Sequence, residues 1–300
     1  MIVPGVQRGV SYVCKKQEAP SFFYNGQQSP NWPSHHNTVV LYGMETIIGI
    51  AGLAIMGVLL SLAFRKKKVI PALSTQNLQS ILQQYVAFYR ALNDEQKASF
   101  EQRVMQFLQK VPITGVKTTV EDVDKVLVGA GAIIPIFAFP GWEYRNIHEV
   151  LLYPGSFNEE FGQDGQDRNI LGMVGNGPMQ NVMVLSQQNV REGFTGSSDK
   201  HNTAIHEFVH LVDKSDGATD GLPEALIPHQ YAQPWLKRIH EEMQLIREGR
   251  SDINYYGTTN EAEFLAVVSE YFFEKPAEME KKHPELYALL KTIFLPGTPS

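Results

Sequence analysis

A run of 19 residues without a charge, TIIGIAGLAIMGVLLSLAF from Thr46 to Phe64, constrains this chain more than any other feature. Wound as a helix at about 1.5 Å per residue it reaches about 28 Å, the depth of a bilayer's hydrocarbon core. No polar face interrupts it, which sets it apart from an ordinary core helix. Arg65, Lys66, Lys67 and Lys68 follow the run and no small-residue cleavage site succeeds it, which sets it apart from a secretory signal. The run therefore predicts one transmembrane helix. Only Glu45 stands just before it, so the positive-inside bias places residues 69–300 in the cytoplasm. The expected location is the cell (inner) membrane, single-pass, with the short N-terminal part outside.

Four parts follow from that span. Residues 1–45, rich in Pro, Ser, Asn, Gln and Gly, read as a disordered or weakly structured tail. Met44 is an alternative start that would dispense with the tail. Residues 46–64 are the span, 65–77 a basic juxtamembrane linker, and 78–295 one α+β domain. Residues 1–68 hold 7 basic and 2 acidic side chains, net +5, leaving 19 basic and 30 acidic, net −11, for residues 69–300. So acidic a domain argues against a nucleic-acid partner. The single cysteine, Cys14, excludes an internal disulfide, a thiolate zinc finger and an iron–sulfur centre, so His and carboxylates must hold any metal.

Within the domain, Leu78, Ile81, Leu82, Tyr85, Val86 and Tyr89 recur at helical spacing, as do Phe100, Val104, Phe107 and Leu108 behind Asn93 as N-cap. Val126 to Phe139 is apolar, but its 14 residues contain Pro135 and are too few to span, so it reads as a core segment. Strands are expected over Glu149 to Tyr153 and Asn181 to Leu185.

His206, Glu207, Phe208, Val209 and His210 spell H-E-x-x-H. On a helix the two imidazoles stand one turn apart on one face and can reach one ion, while Glu207 beside them can take a proton from water. Ser198 or Asp199 can start that helix. His148 and Glu149 repeat only the first half of the motif, with Leu152 where the second His would stand, and read as structural.

A hydrolytic metal site needs a third protein ligand and an open position. Glu263, in NEAEFLAVVSEYFFEKP from Asn260 to Pro276, is the best candidate; Glu270, on the same helical face, could orient a ligand. Asn260 to Glu263 equally has the spacing of a capping box, and spacing leaves the two readings even. Asp216, six residues after His210, is a weaker rival, because Asp213 stands where that pattern needs Gly.

Taken together, NTAIHEFVHLVD from Asn202 to Asp213, EAEFLAVVSEYFFEKP, IHEVLLYP and GPMQNVMVLS resemble the Mlc titration factor A family of zinc-dependent peptidases. The resemblance covers roughly residues 80–295. It implies Zn2+ on His206, His210 and Glu263, Glu207 as catalytic base, and Asn202 and Asp213 in supporting places. The implied fold is a mainly helical zincin-type (gluzincin-like) α+β metallopeptidase domain with a small sheet. The family in turn resembles the protease domain of anthrax lethal factor, where a Tyr seven residues before the ligand Glu assists catalysis; here that is Tyr256. A peptide or protein substrate is implied, with amino- and endopeptidase action both open. So is a second reading, a regulatory protein that sequesters a transcriptional repressor. The span and tail depart from the soluble family pattern.

Overall fold

Asn93 closes a full capping box in the computed structural model, its side chain accepting from the Gln96 N–H while the Gln96 side chain accepts from the Asn93 N–H. The structure describes residues 73–158, 162–163, 170–175, 180–195 and 200–296. The expected tail, span and most of the linker lie outside these residues, as do Ser198 and Asp199. Among the described residues no helix is long and apolar enough to cross a membrane.

Of the two amphipathic helices expected near the start of the domain, the second is present and the first is interrupted at Val86, whose extended backbone splits it in two. Thr75–Tyr85 (α1), a short turn at Ala87–Arg90 (α2) and Asp94–Lys110 (α3) bury Leu78, Ile81 and Leu82 from the first and Phe100, Val104 and Phe107 from the third. They pack on Asp122–Ile133 (α4), the start of the apolar stretch read as core, which continues as a 3-10 turn over Ile134–Ile136. Every residue of α4 from Val126 to Ile133 is buried. The Arg103 guanidinium donates to the carbonyls of Ile136, Phe137 and Phe139, fastening α3 to the end of this stretch.

The sheet has four short strands, Ile113–Gly115 (β1), Glu149–Tyr153 (β2), Gly172–Val174 (β3) and Val182–Ser186 (β4), in the order β1-β2-β4-β3. Val150 pairs with Ile113 and Met183 in parallel, and Met173 pairs with Val184 antiparallel. β2 lies where the sequence predicts it. β4 begins one residue later than expected, because Asn181 has a φ of 65° and turns the chain into the strand. His148 and Glu149 stand at the head of β2, where Thr114 donates to the Glu149 carboxylate, so the half-motif is structural as expected.

The remaining helices are Gln187–Phe194 (α5), Thr203–Asp213 (α6), His229–Arg247 (α7), Glu261–Glu274 (α8), Pro276–Lys282 (α9) and Pro284–Phe294 (α10). α6 packs between α4 and α8. The contact with α4 is close because Gly131 faces Ala204, where an added Cβ would stand 2.6 Å from the alanine methyl. α8 is buried from Phe264 to Phe273 and packs against α6.

Where α9 meets α10, His283 donates to Asp252 at 2.7 Å and stands 3.5 Å from Glu242 of α7, its ring edge-on to Tyr271. Lys200, Lys282 and Tyr271 also donate to Asp252. The nearby Glu242 carboxylate and then the hydrogen bond to Asp252 raise the His283 pKa against the effect of burial. Burial pushes the Asp252 carboxyl up, but the His283, Lys200 and Lys282 hydrogen bonds outweigh it and hold that carboxyl well below the usual range. A raised histidine stabilises fully below its unfolded pKa of about 6.5, and a lowered carboxylate above about 3.9. The cluster therefore contributes most between about pH 4 and 6.5. Replacing His283→Gln should lower stability by about 1–2 kcal/mol at pH 5.5 in urea unfolding. The deficit should shrink as pH rises past neutrality; a constant deficit would show that the imidazolium charge contributes none of it.

Candidate active site

Asn202, rather than Ser198 or Asp199, starts the helix that carries the motif: its side chain accepts from the Ile205 N–H, and α6 begins at Thr203. One turn on, the α6 spacing brings His206 and His210 together, Nε2 to Nε2 at 3.2 Å. Glu263 completes the group from the first turn of α8, its Oε2 3.1 Å from His206 Nε2 and 3.3 Å from His210 Nε2. This geometry favours the ligand spacing over the capping box. Asn260 caps α8 by accepting from the Glu263 N–H, but the Glu263 carboxylate turns to the imidazoles instead of returning to the Asn260 backbone. Among the described residues, His206, His210 and Glu263 form the one group of three such side chains whose donor atoms converge, all within 4.8 Å of one another. Asp216 is not part of it; its carboxylate accepts from the N–H groups of Ala218 and Glu224 and shapes the turn after α6.

The donor set fits a divalent transition metal: two imidazole nitrogens and one carboxylate oxygen face one point. His206 Nδ1 is 2.7 Å from Glu270 Oε1, which leaves Nε2 free to present a lone pair to an ion. Burial pushes the Glu263 carboxyl up, but the two histidines outweigh it and hold it well below its ordinary range. Burial lowers the His206 pKa, and Glu270, Glu263 and Glu207 more than reverse this. A positive charge is thus favoured at the point where the side chains meet.

Glu270 does more than touch His206. Its second oxygen accepts from the Asn202 backbone N–H, and the Asn202 amide donates to Glu274 at 2.8 Å, so Glu270 and Glu274 together grip the start of α6. Burial pushes the Glu274 carboxyl up to about 7. Asp213, expected in a supporting place, accepts from the Gly221 N–H at the far end of α6, and neither its Oδ1 nor His210 Nδ1 has a hydrogen-bond partner. Burial pushes Asp213 up to about 6. Gly221 is glycine for two reasons: its φ is 76°, and an added Cβ would stand 2.3 Å from the Glu261 carbonyl. With Trp235 donating to the Gly221 carbonyl at 2.7 Å, that turn fixes where α8 starts and hence where Glu263 stands.

Glu207 is buried, and burial raises its pKa. Tyr256 faces it from a 3-10 turn over Tyr255–Thr258, capped by Asn254, with its ring 6.1 Å from that of His206. Burial first, then the Glu263 and Glu207 charges, raise the Tyr256 pKa and keep the phenol protonated. Two cavities of about 510 and 500 Å³ meet at this point, sharing Ile170, Gly172, His206, Glu207 and Tyr256. The first is walled by Leu171 and Val267, the second by Met173, Val174 and Ala262.

Sequence reasoning missed Gly172 and Glu274. Nothing marks a three-residue strand in a sequence, but Glu274 stands four residues after Glu270, a spacing that does place it on the same face.

A family model described as glucose-regulated metallo-peptidase M90 matches residues 62–295. The uncharacterized protein slr2042 of Synechocystis is 27% identical over 244 residues, covering 78% of this chain and 88% of that protein. Mlc titration factor A of Pectobacterium atrosepticum is 30% identical over 222 residues, 68% of this chain and 80% of its own. That of Escherichia fergusonii is 28% identical over 224 residues, 67% and 80% respectively. With a converging His-His-Glu group inside a match that spans most of its length, the chain belongs to the glucose-regulated metallo-peptidase M90 family, which includes the Mlc titration factor A relatives.

Proposed function

We propose that this protein is a membrane-anchored zinc-dependent peptidase that hydrolyses a peptide bond of a peptide or protein substrate. The observation that carries this reading is the convergence of His206, His210 and Glu263 with Glu207 and Tyr256 beside them. Zinc on those three ligands would supply the positive charge that acidifies a water towards a pKa of about 7 and polarises the scissile carbonyl. Glu207 takes the proton from the attacking water and later delivers it to the leaving amine; the pKa raised by burial suits both transfers. The protonated Tyr256 donates to the developing oxyanion, a contribution of about 3 kcal/mol for a well-placed donor.

Glu270 holds the His206 ring by Nδ1 and so keeps its Nε2 directed at the ion. An extended substrate can lie along β3. β4 is bonded on both sides, by β2 and β3, whereas β3 is an edge strand of the described sheet and lines the cleft. The apolar wall of Ile170, Leu171 and Val267 favours an uncharged side chain next to the scissile bond.

Residues 46–64 and the basic cluster from Arg65 to Lys68 support a single-pass anchor in the cell membrane, with the catalytic domain in the cytoplasm. The name Mlc titration factor A, borne by relatives, supports a second reading in which the domain captures a transcriptional repressor. Sequestration needs no general base, so the two readings separate at Glu207.

Elemental analysis of protein purified without added metal should find about one zinc per chain, lost in Glu263→Ala and retained in Asp216→Ala. Glu270→Gln should weaken zinc binding by about 10- to 100-fold.

On a quenched fluorescent peptide library, Glu207→Gln should keep zinc and fold while kcat falls by at least about 100-fold. Tyr256→Phe should lower kcat by about 100-fold with KM little changed. Undiminished hydrolysis by Glu207→Gln would sink the mechanism, and a Glu207→Gln protein that still captures a repressor would mark capture as a separate activity.

A further inference from the structure

Gly172 is the first residue of β3 and pairs with Leu185 of β4. Its backbone needs no glycine: it is absent from the positive-φ positions, and a strand residue at this register can carry any side chain. What leaves no room is Glu207. A Cβ built on Gly172 would stand 2.6 Å from Glu207 Cγ, 2.6 Å from Oε1 and 2.9 Å from the carboxyl carbon. Real Cβ atoms essentially never approach other heavy atoms this closely. No hydrogen bond orients the Glu207 carboxylate among the described residues, and its other influences are the charges of His206, His210, Glu263 and Glu270. Contact with the bare backbone of β3 therefore selects the direction in which this buried side chain extends.

We propose that Gly172 is a positioning residue for catalysis. By carrying no side chain, it lets Glu207 lie against β3 with its carboxylate over the mouth shared by the two cavities, where water and substrate meet. The inference rests on the peptidase reading for its kinetic consequence and on the contact alone for its structural one. Adding a methyl group forces Glu207 into another rotamer. The end of a flexible side chain can move without unfolding anything, so the penalty falls on turnover and not on the fold. A displacement of about 1 Å in a catalytic group can cost about 100-fold in rate.

The test is Gly172→Ala in the full chain, alone and combined with Glu207→Asp, whose shorter side chain leaves room for the methyl group. In the wild-type background kcat should fall by about 10- to 100-fold, with KM, zinc content and melting temperature unchanged. In the Glu207→Asp background the same substitution should cost less than about threefold, a non-additivity that an independent defect in β3 would not show. A crystal structure of Gly172→Ala should show the Glu207 carboxylate turned away from its wild-type place. Wild-type kcat in the variant, an equal loss in both backgrounds, loss of zinc or of fold, or an unmoved Glu207 would each overturn the proposal. A displaced Glu207 in a protein whose wild type hydrolyses nothing would uphold the contact and remove the peptidase reading instead.

Discussion

One buried carboxylate, Glu270, ties the site together. It accepts from the backbone N–H that opens α6 and from an imidazole one turn further along the same helix, while belonging to α8. A carboxylate shut away from water is costly unless its oxygens are satisfied. Here both are used, and the two bonds set the offset and rotation of α8 against α6. Glu263 stands two turns before Glu270 on α8, so the grip that orients His206 also decides where the facing carboxylate arrives. The Asn202 amide bound to Glu274 extends that grip by one turn.

The opposite end of α6 is held by different means. Asp213 and Trp235 both bond to Gly221, whose backbone lies so close to Glu261 that a methyl group would not fit. A turn built this tightly gives the first residues of α8 little freedom, and Glu263 is among them. Asp213 therefore supports the site through the loop that leads into α8 rather than through an imidazole ring.

How much of this could be seen in the sequence follows from how local each feature is. The spacing of His206 and His210, the cap at Asn93 and the burial of the stretch from Val126 are properties of single segments, and periodicity exposes them. Glu263 stood at an even choice because the capping spacing and the ligand spacing are satisfied by the same residue, and the structure shows the Asn260 half of the cap made while the carboxylate turns elsewhere. Strand order is a long-range property, and β3, the edge strand that lines the cleft, has three residues and no period to read.

The site divides its parts by burial. Its histidines and both holding carboxylates come from α6 and α8, helices with little exposed surface, where packing fixes rotamers closely enough for metal coordination. Tyr256 and Leu171 line the cleft from a turn and from the residue just before β3, 53% and 41% exposed. Large apolar side chains left open to water at such a place have unused contact area, which the peptide substrate proposed above would cover. Glu207 stands at the boundary between these halves: its backbone belongs to the buried helix, and the direction of its carboxylate is set by the edge strand. Chemistry and recognition therefore meet in one contact, between a glutamate that needs a fixed direction and a glycine that leaves it room.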